Sequence, residues 1–123
     1  VREYSLTISE KTQDSYNSVD NPFGRTVLVL EHILVVETAH SGGSPVIDVG
    51  IGSSATADYT TLHDDVPCTT QGAYSSVNTP TTGKQTSPQV WMHGSGNRYL
   101  NHSIKGAAAG GMRARWYVRV MGQ

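Results

Sequence analysis

The amino-acid sequence predicts an all-β protein, an antiparallel β-sandwich of about seven or eight strands, for which a jelly roll is the most economical arrangement. Three observations lead to this prediction. A segment near the end of the chain alternates apolar and polar residues with period two, and the longest apolar run consists mainly of β-branched residues. The segments between are rich in serine and threonine and contain many of the 13 glycines, as is typical of turns and surface loops.

Composition limits both the size of the protein and its partners. The 123 residues predict one domain, 1–123, with a single core. Nine lysines and arginines against ten acidic residues give a formal net charge of −1, so no overall attraction to nucleic acid or to an anionic membrane is expected. No stretch reaches the ~18 apolar residues of a membrane-spanning helix. Cys68 is the only cysteine, which excludes a disulfide within the chain.

The N-terminal region divides into a strand and a polar segment. Between residues 2 and 8 the apolar side chains Tyr4, Leu6 and Ile8 alternate with polar ones, which predicts a half-buried strand. The residues that follow show neither helical nor strand periodicity, and they end in Asn-Pro-Phe-Gly, which is typical of a turn. We therefore predict that residues 11–24 form a polar arm or a long loop.

The longest apolar run covers residues 26–40. Its length would allow a helix, but β-branched side chains lose rotamer freedom in a helix and pack well on a pleated sheet. As a strand it would be apolar on both faces, so it would lie either in the middle of a layered domain or beneath another subunit. The subunit interface predicted on its odd-numbered face consists of Val27, Val29, Ile33 and Val35.

The middle of the chain predicts one further strand and then long loops. Residues 46–52 place Ile47, Val49 and Ile51 on one face and small or acidic residues on the other. Residues 53–88 are mostly Thr, Ser, Gly, Pro and Gln, which indicates surface loops with one or two short strands. A C-terminal meander is expected at residues 90–93, 98–105 and 112–121, with turns at 94–97 and 106–111.

The last strand of this meander carries a row of arginines. Arg113, Arg115 and Arg119 fall on the face opposite to Trp116 and Val118. Like charges repeated on one strand face are costly unless acidic groups lie opposite. Carboxylates on a neighbouring strand would satisfy them, and otherwise we predict that these three arginines bind a partner.

Three other patterns suggest chemistry but have simpler structural explanations. The segment 50–55 fits G-x-G-x-x-A, yet a dinucleotide site needs a following helix and repeated βα units, so we expect the glycines to permit a bulge or close packing. Asp58, Asp64 and Asp65 could form a calcium-type oxygen site, although exposed loop residues explain them more simply. Cys68 follows a proline in a loop and is expected to be an ordinary free thiol.

The residues 46–62 (VIDVGIGSSATADYTTL) resemble a segment of small virion structural proteins of tailed bacteriophages. An aspartate-containing loop, a Thr/Gly-rich stretch and a Gly/Ala-rich turn before an aromatic last strand extend the resemblance, while residues 1–24 have no counterpart. Such proteins are β-sandwich or jelly-roll modules, often trimeric, that decorate the capsid or sit on tail components.

The resemblance implies a non-enzymatic capsid decoration or cement protein. It would be a homotrimer on the capsid surface of the virion, bound to the major capsid protein or to another virion protein, with no catalytic residue and no cofactor. A carbohydrate-binding β-sandwich, such as a receptor-binding tail tip domain that uses Trp91 and Tyr99, is the alternative. A small metal-dependent enzyme is a third possibility.

Overall fold

The described part of the chain is built from antiparallel β-strands. The structure, a computed structural model, describes residues 2–9, 15–40, 43–75, 89–106 and 111–122. Within these ranges there is no helix, and so none that is long and apolar enough to cross a membrane. The strands of the described residues are β1 (Arg2–Ser9), β2 (Ser15–Asp20), β3 (Val27–Thr38), β4 (Val46–Gly52), β5 (His63–Pro67), β6 (Gly72–Ser75), β7 (Gln89–Trp91), β8 (Tyr99–Lys105) and β9 (Arg113–Gly122).

These strands form two antiparallel sheets that pack as a β-sandwich, which confirms the predicted fold class. Sheet A has the order β1-β9-β3, and β6 and β7 both pair with the other edge of β3, at different points along it. Sheet B has the order β2-β8-β4-β5. Successive strands mostly change from one sheet to the other, and this order is consistent with a jelly roll.

The core lies between the two sheets because alternate residues of each long strand point inward. In β9, for example, Ala114, Trp116 and Val118 are buried, while Arg113 and Tyr117 are exposed. The largest buried apolar side chains are Trp91, Trp116, Ile8, Leu34, Ile47, Leu62, Leu100, Ile104 and Met112.

A β-bulge divides β3 into two parts, and the odd-numbered residues point to opposite faces of the sheet in the two parts. Val29 pairs with Val120 of β9, but the next pair is Glu31 with Arg119, so Leu30 is an extra residue. Such an insertion exchanges the faces to which odd and even residues point.

The prediction that the odd-numbered residues of this run form one subunit interface is therefore wrong. Val27 and Val29, before the bulge, lie in the chain's own core with 1% and 0% exposure. Ile33 and Val35, after the bulge, lie on the outer face of sheet A and are half-buried. The sequence prediction assumed an unbroken period of two, and the bulge breaks that period.

The predicted N-terminal arm also needs correction. Residues 15–20 are strand β2, which pairs with β8 at the edge of sheet B, whereas residues 11–14 lie outside the described residues. The turn that follows is confirmed, because the side-chain oxygen of Asn21 accepts a hydrogen bond of 2.8 Å from the Phe23 amide. The Asn21 amide group also donates to the Trp91 carbonyl at 2.8 Å, which ties this turn to β7.

Residues 53–62, which we call the strap, cross the outer face of sheet B between β4 and β5. Asn101 of β8 holds the strap by donating from Nδ2 to the carbonyl oxygens of Ser54 at 2.9 Å and Ala57 at 2.7 Å. Tyr59 lies directly over Gly50 and Gly52 of β4. The strap can come this close because neither glycine carries a Cβ atom, so the G-x-G spacing here serves packing.

Candidate functional site

The outer face of sheet A brings together two sets of residues that the sequence predicts separately. β9 carries the three arginines on this face, and β3, its neighbour in the sheet, carries Ile33 and Val35 beside them. The predicted partner-binding residues and half of the predicted subunit interface therefore form one surface. Val27 and Val29 do not belong to it, since they lie in the core.

Strand register arranges the middle of this face in three rows that run across β1, β9 and β3. In each row one residue of β9 lies between its partners on the other two strands. We call these the negative row (Glu3, Arg119, Glu31), the central row (Ser5, Tyr117, Ile33) and the positive row (Thr7, Arg115, Val35).

Two of the three arginines have acidic partners within the chain. Nη2 of Arg119 lies 3.2 Å from Oε2 of Glu31, and Nε of Arg113 lies 3.6 Å from Oε1 of Glu37. Both glutamates belong to β3, so a neighbouring strand supplies the carboxylates that sequence analysis left open. For these two arginines, intramolecular pairing explains the repeated charge.

Arg115 differs from the other two arginines. Its neighbours across the sheet are Thr7 and Val35, neither of which is acidic. Nε of Arg115 is buried and has no hydrogen-bond partner in the part of the chain that the structure describes. A buried donor on a charged group that lacks a partner is destabilising, so Arg115 is not satisfied by the described residues in the way that Arg113 and Arg119 are.

The same face and its edge also expose large apolar side chains. Among the described residues, the exposed large hydrophobic side chains lie on this face or at its edge, and they are Leu30, Val90, Met92, Tyr117 and Met121. A groove of about 470 Å³ runs along the negative and central rows, between Glu3, Ile33 and Tyr117. Apolar residues concentrated in this way are typical of a surface that binds another protein.

The outer face of sheet B carries a different constellation, centred on Lys105. Its Nζ atom lies 2.8 Å from Oδ2 of Asp48, 3.3 Å from Oδ1 of Asp65 and 3.6 Å from Oδ2 of Asp58. Asp48 has no exposed side-chain surface, and its Oδ1 accepts a hydrogen bond of 2.8 Å from the Asp65 amide. The three carboxylates surround one ammonium group and are partly neutralised by it.

This arrangement bears on the predicted calcium site. Asp65 and Asp58 face Lys105, while Asp64 lies near Asp48 and Asp65, close enough for one oxygen of each to reach a common cation. The ammonium group already supplies a positive charge at the same carboxylates. The geometry therefore favours a structural ion-pair cluster that holds the strap against sheet B.

The surroundings of the ion pair raise the pKa values of both of its members. Loss of hydration raises the pKa of Asp48 to about 6 from its ordinary 3.8, although the hydrogen bond from Lys105 opposes this rise. The pKa of Lys105 is raised above its ordinary value, chiefly by its hydrogen bond to Asp48. Both directions indicate that Asp48 depends on Lys105 to remain ionised.

A pair of buried histidines joins the two sheets inside the core. Nδ1 of His32 on β3 lies 2.9 Å from Nε2 of His63 on β5, and both side chains are 1% exposed. Burial, with a smaller contribution from His32, lowers the pKa of His63 from 6.5 to about 3. His63 is therefore neutral in the folded protein at neutral pH.

We expect His63 to make the fold sensitive to acid. Between about pH 3 and 6.5 the unfolded chain binds a proton at residue 63 that the folded chain excludes, so stability falls as the pH falls, by about 1.4 kcal/mol per unit. The advantage of the wild type over His63→Leu should therefore shrink between pH 7 and pH 4 in denaturant titrations. Asp48 is present in both proteins, so its own pH dependence cancels. A difference that stays constant with pH would contradict this assignment.

Two aromatic residues of the carbohydrate-binding alternative differ in accessibility. Trp91 is fully buried, and its indole Nε1 donates a hydrogen bond of 2.7 Å to the Arg98 carbonyl, so it cannot stack on a sugar. Tyr99 is half-buried, and the guanidinium carbon of Arg98 lies 5.1 Å from the centre of its ring. The structure does not favour a sugar platform built on these residues.

Cys68 is buried in the core, and burial raises the pKa of its thiol to about 12. A thiol in this environment stays protonated at neutral pH and is a poor nucleophile. This agrees with the expectation of an ordinary free thiol.

A scan against protein-family models finds no match to this chain, and a search of curated proteins finds none either.

Proposed function

We propose that this protein is a non-enzymatic structural component of a tailed-bacteriophage particle. In this proposal it decorates or cements the capsid as a homotrimer, and it binds the major capsid protein or another virion protein at the capsid surface. The outer face of sheet A forms the contact between subunits. The observation that carries the proposal is the concentration of exposed apolar side chains and arginines on this one face.

The composition of this face supports a protein partner. Tyr117 and Met121 are 41% and 43% exposed, and Ile33 lies between a row in which Arg119 is paired with Glu31 and a row that contains Arg115. Large aromatic and apolar side chains with arginine nearby are typical of protein interfaces. A surface selected only for solubility would expose fewer apolar groups.

The charge of the molecule supports a local mode of binding. The formal net charge is −1, so long-range attraction contributes little and recognition depends on matching surfaces. A cement protein needs rigid, extended surfaces and no chemistry, and a sandwich with long central strands supplies them. β3 and β9, the two longest strands, have 12 and 10 residues and both contribute to the outer face.

The subunit contact predicts the effect of a charge placed at Ile33. Ile33→Asp adds a carboxylate to the central row, which already lies beside Glu3 and Glu31, and so should weaken self-association by roughly tenfold or more. The measurement is the molar mass in solution by light scattering after size exclusion, for which a trimer gives three times the 13.2 kDa of one chain. Thr60→Asp, at an exposed position in the strap, is the matched control and should leave the mass unchanged. An Ile33→Asp protein with the mass of the wild type would place the contact elsewhere.

Binding to the particle is tested by co-sedimentation. Purified protein is mixed with capsids of the phage that encodes it and pelleted, and the bound amount should reach saturation at a fixed ratio to the capsid protein. Protein that remains in the supernatant at micromolar concentration would contradict a decoration role. It would leave the self-association of the chain as a separate result.

A further inference from the structure

We infer that Arg115 is a binding residue for carboxylates of a second copy of this chain, and that those carboxylates are the glutamates of the negative row. This inference rests on the proposed self-association through the outer face of sheet A, and it names the groups that fix the contact. It assigns Arg115 a different role from Arg113 and Arg119, which have partners within the chain.

Arg115 carries a hydrogen-bond donor that has no acceptor among the described residues. Its Nε atom is buried without a hydrogen-bond partner, and in the described ranges no carboxylate forms an ion pair with its guanidinium. The flanking residues Thr7 and Val35 cannot neutralise it. A guanidinium is planar and presents its donors in a fork that fits a carboxylate, so the partner that Arg115 lacks among the described residues is a group that a carboxylate of a second chain can supply.

An excess of negative charge lies four residues away from Arg115 along β9, in the row that contains Arg119. In the negative row Arg119 lies between Glu3 and Glu31, and its ion pair is with Glu31. Glu3 is exposed and forms no ion pair in the part of the chain described here. The negative row therefore carries one uncompensated negative charge, and the positive row carries one uncompensated positive charge.

The negative row and the positive row lie on either side of the central row. Each lies two residues from Tyr117 along β9, a distance of about 7 Å in an antiparallel strand. Because the rows lie at opposite ends of one patch, copies packed head to tail bring the positive row of one against the negative row of the next. A contact that places the positive row of each copy against the negative row of another copy leaves neither row exposed.

A second copy explains both halves of this pattern. The acceptor and the donor of the missing ion pair lie on the same face of the same chain, with an exposed tyrosine between them that can cover the centre of the contact. An unrelated acidic partner would satisfy Arg115 but would leave Glu3 facing an acidic surface. Like charges brought together at an interface oppose binding.

Charge exchange tests this assignment. Arg115→Glu and Glu3→Arg each place like charges opposite one another in the proposed contact, and each should weaken self-association by roughly tenfold or more. The double variant, Glu3→Arg with Arg115→Glu, again has complementary rows and should associate more tightly than either single variant. Dissociation constants come from sedimentation equilibrium at several protein concentrations, and circular dichroism checks that each variant is folded. Arg115→Gln, which removes the charge without reversing it, should weaken association less than Arg115→Glu.

The outcomes separate this inference from the proposed function. A wild type that remains monomeric at high concentration would overturn self-association and the inference together. A wild type that associates, with Arg115→Glu associating equally well, would overturn the role of Arg115 and leave the subunit contact intact. Failure of the double variant to recover beyond the single variants would show that Glu3 is not the partner. Recovery in the double variant, with both single variants weakened, is the result that supports the pairing.

Discussion

Replacing Gly50 with alanine should lower the free energy of unfolding by about 3 kcal/mol or more, since overpacking against a backbone that cannot move freely lies at the upper end of its usual cost. A Cβ atom at this position would lie 2.6 Å from the backbone carbon and 2.8 Å from the carbonyl oxygen of Tyr59. To make room, the strap would have to leave the outer face of sheet B. Its hydrogen bonds to Asn101 would then be lost as well. Chemical denaturation followed by tryptophan fluorescence measures the change.

Gly52 also lies beneath the strap, but a Cβ atom there would meet a side chain instead of the backbone. There a Cβ atom would overlap the ring of Tyr59, which is a side chain, so Gly52→Ala should be partly rescued by Tyr59→Ala in a double variant. Gly72→Ala is the matched control, because Gly72 also lies in a strand but its added Cβ would be no closer than 3.5 Å to any atom outside its immediate neighbours. Equal stability losses at Gly50 and Gly72 would mean that the glycines of β4 are not required by the strap.

The strands that sequence analysis predicts well are those with one apolar face. β1, β4 and β9 alternate regularly because each packs its apolar face against the core, while the other face is polar or, in β4, consists of small and acidic residues beneath the strap. Strand β2 is not predicted because it has few apolar contacts with the core. Among the residues of β2 whose side chains are described, only Val19 packs against the core. An edge strand of this kind carries almost no hydrophobic signal.

The candidate site was only partly predictable for a physical reason. The arginines of β9 are visible in the sequence, but the glutamates that pair with two of them are more than 70 positions earlier in the chain. Which residues meet depends on strand register, and a bulge such as that at Leu30 changes register by one residue without any mark in the local pattern. The His32–His63 bond and the Lys105 cluster are long-range pairs of the same kind.

Replacing Lys105 with methionine should destabilise the fold by about 3 kcal/mol at neutral pH, because Asp48 is then buried without a cation and its carboxyl group must either hold a proton or carry an uncompensated charge. This is near the low end of the cost of breaking a buried pair, since the Lys105 side chain is 36% exposed and some water reaches it. Arg113→Met is the matched control. It breaks an ion pair whose two members are 56% and 38% exposed, and should cost less than about 1 kcal/mol.

The pH dependence of the Lys105→Met variant identifies Asp48 as the cause. In the wild type the pKa of Asp48 is about 6, and loss of the ammonium group raises it further. Above about pH 6 the folded variant therefore holds a proton at Asp48 that both the unfolded chain and the folded wild type have released. The stability that the variant lacks relative to the wild type should therefore increase as the pH rises towards about 8 and decrease as the pH falls towards 6. Adding Asp48→Asn should recover stability around pH 8, because an amide at residue 48 can still accept the hydrogen bond from the Asp65 amide without carrying a charge. A deficit that is independent of pH, or that Asp48→Asn does not reduce, would mean that Lys105 acts through Asp58 and Asp65 at the surface of the cluster.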